Sequence, residues 1–259
     1  MQEALSPRLG CVKYLNARPL ARGWPGKVQF DHPSVLCRRL AAGELDVALV
    51  SSFEFLRNPI YSIVDGVAIA SDGPVYSVFV AHHPETAYAE LELDLASTTA
   101  VSLLRCLLRE RKHTWTEAPP PPDILSPLSP GRARLLIGDQ AIRFRDKFQH
   151  DYAYWDLGEA WRELTQLPFV YALWLVRPEV AQGRQIADEL RRLRDRNLAH
   201  LEELIERETE FDEGFCAYYY GDCLRFEFGE REKAGLRSFG DLCLKHGLLK
   251  ERDAGLRLL

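Results

Sequence analysis

The chain has 259 residues, 46% of them hydrophobic and 27% charged, with a formal net charge of −5. That much apolar residue builds a packed core and excludes wholesale disorder. With no strongly basic domain, the acidic balance excludes nucleic acid as a partner, because phosphate contacts need clustered Lys and Arg.

At this length one large α/β unit or two modest ones are expected. The N-terminal MQEALSPRLGCVKYLN lacks a basic region followed by a long apolar run, so we expect no secretory signal and a cytoplasmic protein. No stretch approaches the ~18 apolar residues of a membrane span, so no membrane partner is expected. Cys11, Cys37, Cys106, Cys216, Cys223 and Cys243 form no CxxC pair, and the histidines form no HExxH. Buried thiols and the absence of a metal site are the expectation.

Residues 8–15 read as a strand that ends in a polar turn. Pro19 suits the first turn of a short helix. Ser34 is expected to cap a second helix, whose apolar face is Val35, Leu36, Leu40 and Ala41 and whose stop is Gly43. LDVALV (45–50) is a continuous apolar run, as in a buried parallel strand. Strand, helix and strand at this spacing form a βαβ unit. Ligands of open α/β sheets sit beyond the carboxyl ends of the strands, which puts Asn16, Ser51 and Ser52 on one rim. Alone, Asn16 reads as a cap of the short helix near Pro19; its place on the rim with Ser51 and Ser52 makes a ligand role an equal reading.

AIASDGPVYSVFVAHH (68–83) reads as a hairpin turning at Asp72-Gly73-Pro74, with Ser77 on the same face as Val75 and Phe79. A helix is expected from about Ser97 to Arg111, with Ser97, Thr98 and Thr99 at its start. PPPPD (119–123) is a stiff surface connector. ARLLIGDQAIRF (133–144) gives a strand, a corner and a helix start, where Asp139 serves as cap or as ligand contact. LPFVYALWLV (167–176) is strongly β-prone. The chain is then helical, with Ile186, Leu190, Leu193, Leu201 and Ile205 in one stripe. Arg18 reads as a surface cation, Tyr14 and Trp174 as core, and YYYGDC (218–223) as an aromatic seam. The segments suggest two lobes, one of residues 1–83 and 171–259 and the other of residues 84–170, with a ligand cleft between them.

GCVKYLNARPL, AAGELDVALVSSFEF, IASDGPVYSV, LDLASTTAVSLLRCLL, LLIGDQAI and DLGEAWRELTQLPFVYALW occur in this order. Together they resemble the chorismate dehydratase family (MqnA type) of the futalosine route to menaquinone, from about residue 8 to the end of the chain. The resemblance implies an α/β, two-lobed fold like the type 2 periplasmic binding proteins, with the C-terminal helices packing on the first lobe. It also implies a cofactor-free cytoplasmic lyase that removes water from the dianion chorismate to give 3-[(1-carboxyvinyl)oxy]benzoate. Asn16 and Ser77 are the catalytic candidates. Tyr14, Ser51, Ser52, Ser97, Thr98, Thr99 and Asp139 are the substrate-binding candidates. Where the family often has Ser-Arg-Thr-Ser this chain has Ser97-Thr98-Thr99-Ala100, and where it usually has Gly this chain has Gln166. The rival expectation is a non-catalytic receptor for a small carboxylate. Oligomeric state is not written in these patterns.

Overall fold

A computed structural model describes residues 7–84, 89–94, 96–250 and 255–259. The first sheet begins with β1 (Leu9–Val12), a short helix α1 (Arg18–Ala21) and β2 (Val28–Asp31). Helix α2 (Pro33–Ala41), β3 (Val47–Ser51), helix α3 (Ser52–Arg57) and β4 (Ser62–Ser71) follow. The second sheet is built from β5 (Val78–His82), β6 (Glu90–Glu92), β7 (Thr116–Ala118), β8 (Arg132–Ile137) and β9 (Ala153–Asp156). Its helices are α4 (Thr98–Glu110), α5 (Gly138–Lys147) and α6 (Leu157–Thr165). The chain returns through β10 (Phe169–Val176) and finishes in α7 (Gly183–Ala199), α8 (Leu201–Glu206), α9 (Glu213–Tyr218) and α10 (Glu230–Lys245).

The two sheets repeat one plan. The first runs β2-β1-β3-β10-β4 and the second β7-β6-β8-β5-β9. In each, three strands are parallel and the fourth runs against them. That fourth strand is the one that has just crossed from the other sheet. The result is a two-lobed α/β fold with each lobe around its own sheet. The central strands β3, β5 and β8 are almost wholly buried, in keeping with their unbroken apolar runs. Helix α7 buries Ile186, Ala187, Leu190 and Leu193 along one side, while α10 packs on β10 and also reaches α4.

Several local expectations are corrected. The Asp72-Gly73-Pro74 segment joins no hairpin: β4 pairs with β10, whereas β5 pairs with β8 and β9. Strand β5, grouped in the sequence with the lobe ending at residue 83, therefore hydrogen-bonds in the second sheet. Residues 72–77 form a crossover instead. Tyr76 there has φ of 67°, and the Ser77 N–H donates to the Val75 carbonyl at 2.8 Å. Ser34 does not cap α2. His32 holds the cap position and Pro33 follows it, where a missing N–H costs nothing. The long C-terminal stripe breaks at His200, which separates α7 from α8.

Candidate active site

Between the lobes lies a narrow cleft. Its polar lining comes from Tyr14, Asn16, Ser51, Ser97 and Tyr171, set among Val12, Ile69, Val75, Val78 and Ile137. A mostly apolar wall with a few aimed polar groups is the usual build of a small-molecule site.

The first wall is the turn after β1. Leu15–Ala17 form a single tight turn, and the Asn16 side chain caps neither it nor α1. The capping reading of Asn16 is therefore set aside. Two long-range bonds fix the turn. The Leu15 N–H donates to Asp139 Oδ1 at 2.8 Å, and the Tyr220 hydroxyl donates to the Leu15 carbonyl at 3.0 Å. Asp139 thus latches one lobe to the other and makes no side-chain cap for α5. Burial pushes its carboxyl above the ordinary range, against the pull of the Leu15 N–H and of Arg18. Held this way, the turn leaves Asn16 Oδ1 buried with no hydrogen-bond partner among the described residues. A buried acceptor left without a donor costs free energy.

Behind Asn16 stands Tyr219. Its hydroxyl donates to Ser77 Oγ at 2.6 Å. Burial drives the Tyr219 phenol upward in pKa, opposed by hydrogen bonding with Ser77 and, more weakly, with Asn16. Ser77 is fully buried and lies behind the cleft wall. The two catalytic candidates are therefore linked through a third residue, and only Asn16 reaches the cleft. Tyr219 opens a π-helical segment, Tyr219–Cys223. That wider turn lets two consecutive tyrosines, Tyr219 and Tyr220, both reach inward.

The second wall joins β3 to α4. Ser51 Oγ lies 3.1 Å from Thr98 Oγ1, hydrogen-bonds Thr99 Oγ1 and accepts the Thr99 N–H at 3.1 Å. The Phe53 N–H donates to Thr99 Oγ1 at 3.0 Å, and the Ser52 hydroxyl donates to the Val170 carbonyl at 2.6 Å. Ser97 caps α4 by accepting the Ala100 N–H at 3.3 Å. Ser51 and Ser97 line the cleft, the fully buried Ser52 and Thr99 brace it, and the half-buried Thr98 stands beside Ser51. Two of the backbone N–H groups at the start of α4, of Thr99 and Ala100, are already used within the protein.

Tyr14 forms the mouth. Burial raises its phenol pKa, and the carboxylates of Asp94 and Asp139 push the same way. Gly138 faces it directly: a Cβ there would lie 2.9–3.1 Å from three atoms of the Tyr14 ring. Arg18 is turned into an ion-pair cluster with Glu208 and Glu210, and Arg143 joins at 2.8 Å from Glu210. Tyr171, unnoticed in the sequence, lines the floor with its hydroxyl 3.1 Å from Ser71 Oγ. Its signal was a polar tip inside an otherwise apolar strand. Tyr219 had one too, since three successive tyrosines cannot all serve one helix face. Among the described residues no group of three or more His, Cys, Asp or Glu is placed to hold a metal ion.

The repeated sheets, the two crossovers and the cleft between them define a two-lobed binding-protein architecture. A solved structure from Archaeoglobus fulgidus is similar over 94% of this chain and 98% of that one, with a TM-score of 0.70 and 18% identity. The periplasmic aliphatic sulphonate binding protein SsuA from Escherichia coli matches with a TM-score of 0.62 at 14% identity, over 95% and 94% of the two chains. Within that class a narrower assignment follows. A family profile described as menaquinone biosynthesis matches residues 7–245, and the chain belongs to that family. A chorismate dehydratase of Thermus thermophilus is 29% identical, covering 90% of this chain and 93% of its own. A chorismate dehydratase of Campylobacter jejuni is 24% identical, covering 89% and 90%.

Proposed function

We propose that this chain is a chorismate dehydratase, a hydro-lyase of the futalosine route to menaquinone, working in the cytoplasm on a dianionic small molecule. Its family membership and two relatives of that name support the activity. The observation that carries the reading is the Asn16 carbonyl oxygen, buried in the cleft lining without a donor among the described residues. Such an acceptor is matched by a ligand that brings an O–H. The ring hydroxyl that chorismate loses is one.

In this reading the substrate's enolpyruvyl carboxylate takes the neighbouring ring proton. The C–H electron pair joins the ring, which becomes aromatic, and the hydroxyl leaves with the C–O pair. The new carboxylic acid then passes its proton to the departing hydroxide, so one water is released and no redox partner is needed. Asn16 orients the hydroxyl, and Tyr219 with Ser77 orients Asn16. The hydroxyls of Ser51, Ser97 and Tyr171 stand where uncharged donors can hold the charge that flows into the ring carboxylate. Aromatisation supplies much of the driving force, so a strong protein base need not carry the barrier. General acid–base help is worth ~10²–10⁴-fold in rate.

The test is to mix purified protein with chorismate and follow the aromatic enolpyruvyl ether by absorbance and mass. Saturable binding without product favours the receptor reading. An analogue without the enolpyruvyl carboxylate that turned over at the normal rate would refute the self-base.

A further inference from the structure

His32 immediately precedes α2, yet its ring makes no cap hydrogen bond there. The Asp31 carboxylate instead takes the His32 backbone N–H at 2.8 Å. The imidazole is half-buried and meets Tyr14 edge-on, with ring centroids 6.4 Å apart and planes at 66°. Its Nδ1 lies 3.5 Å from the Tyr14 hydroxyl. Next to His32, Pro33 lines the cleft together with Tyr14. From the other lobe, Asp94 follows β6 and lies close enough to act electrostatically on both rings. Asp94 Oδ1 accepts the Ala96 N–H at 2.9 Å, while its buried Oδ2 has no partner among the described residues.

We infer that His32 is a positioning residue for the dehydration: its Nδ1 sets whether the Tyr14 hydroxyl proton points into the cleft or back at the imidazole. This rests on the chorismate reading of the cleft. A phenol has one proton to give. When Nδ1 is bare, Tyr14 donates to it and offers the cleft only a lone pair. When Nδ1 carries hydrogen, it donates to the phenol oxygen, and the Tyr14 proton is released toward the ligand. An anionic substrate needs the second arrangement. The buried phenol between two carboxylates stays protonated, so it remains a donor to be aimed. A 3.5 Å separation is long for such a bond and closes with a small turn of either ring.

The test compares His32→Ala and His32→Asn, each alone and combined with Tyr14→Phe, by kcat, KM and Tm on chorismate. His32→Ala is expected to lower kcat/KM about three- to tenfold, mainly through kcat. Asn carries an amide at the place of Nδ1, so His32→Asn is expected to recover at least half of that loss on a logarithmic scale. In the Tyr14→Phe background, removing the His32 ring is expected to cost under about twofold, because the hydroxyl it aims is gone. Equal costs in both backgrounds, no cost at all, or a Tm fall above about 5 °C in both His32 variants overturns the inference while leaving the chorismate reading standing. A wild-type chain that forms no product overturns both.

Discussion

Asn16→Ala separates function from stability, because a large loss of turnover is expected with little or no loss of stability. The Asn16 carbonyl oxygen is buried and has no hydrogen-bond partner among the described residues. Removing an orphan of that kind returns about 1–3 kcal/mol, and losing the amide's interaction with Tyr219 costs about 0.5–1.5 kcal/mol. The net runs from a loss of about 0.5 to a gain of about 2.5 kcal/mol, a Tm change of roughly −2 to +10 °C for a chain this long. Turnover is expected to fall. Losing one aimed hydrogen-bonding group at a reacting centre costs ~10²–10³ in kcat. Differential scanning calorimetry and a continuous absorbance assay on the same preparation give both numbers. A Tm loss beyond about 5 °C, or a kcat within threefold of wild type, would refute the reasoning and return Asn16 to a structural role.

Gly138→Ala places a methyl against the Tyr14 ring at a backbone φ of 57°, and is expected to cost about 2–4 kcal/mol in urea melts with m unchanged. Gln166 has φ of 59°; Gln166→Gly is expected to raise stability by up to about 1 kcal/mol, read as an increased urea midpoint. Asp139 has a carboxyl raised by burial, so its contribution favours folding below its unfolded pKa and is lost as pH rises through the folded one. Asp139→Asn keeps an acceptor for Leu15 without the charge, so its stabilising effect is expected to be larger at pH 8 than at pH 4 by paired urea melts. All six cysteines are buried, and a thiol reagent is expected to label none in the native protein and six once it is unfolded.

The fold was legible where local chemistry agrees with tertiary placement. Ser97 announces α4, and the helix begins one residue later with that cap bonded. The apolar runs before Ser51 and Gly138 became buried strands because their neighbours in the sheet are equally apolar. The Asp72-Gly73-Pro74 hairpin failed because a turn signal states that the chain bends, not which strand receives it. Among the described residues, strands β4 and β5 pair not with each other but with strands more than 50 residues away. At the site, Asn16, Ser51, Ser97 and Tyr14 line the cleft. Ser77 did not, since its direction depends on Tyr219, 142 residues later. Nor could spacing reveal that Asp139 answers Leu15 across 124 residues. Those pairings exist only after the second lobe has closed on the first.

The crossovers after β4 and before β10 run side by side, and one side chain clasps both. Arg231 lies 2.5 Å from the Asp72 carboxylate and 3.3 Å from the Gln166 carbonyl, while Arg162 grips Asp72 at 2.8 Å. This buckle is electrostatic and faces solvent, so dissolved ions thin its grip without entering the cleft. A cleft lined by uncharged polar groups would then still feel salt, through its clasp.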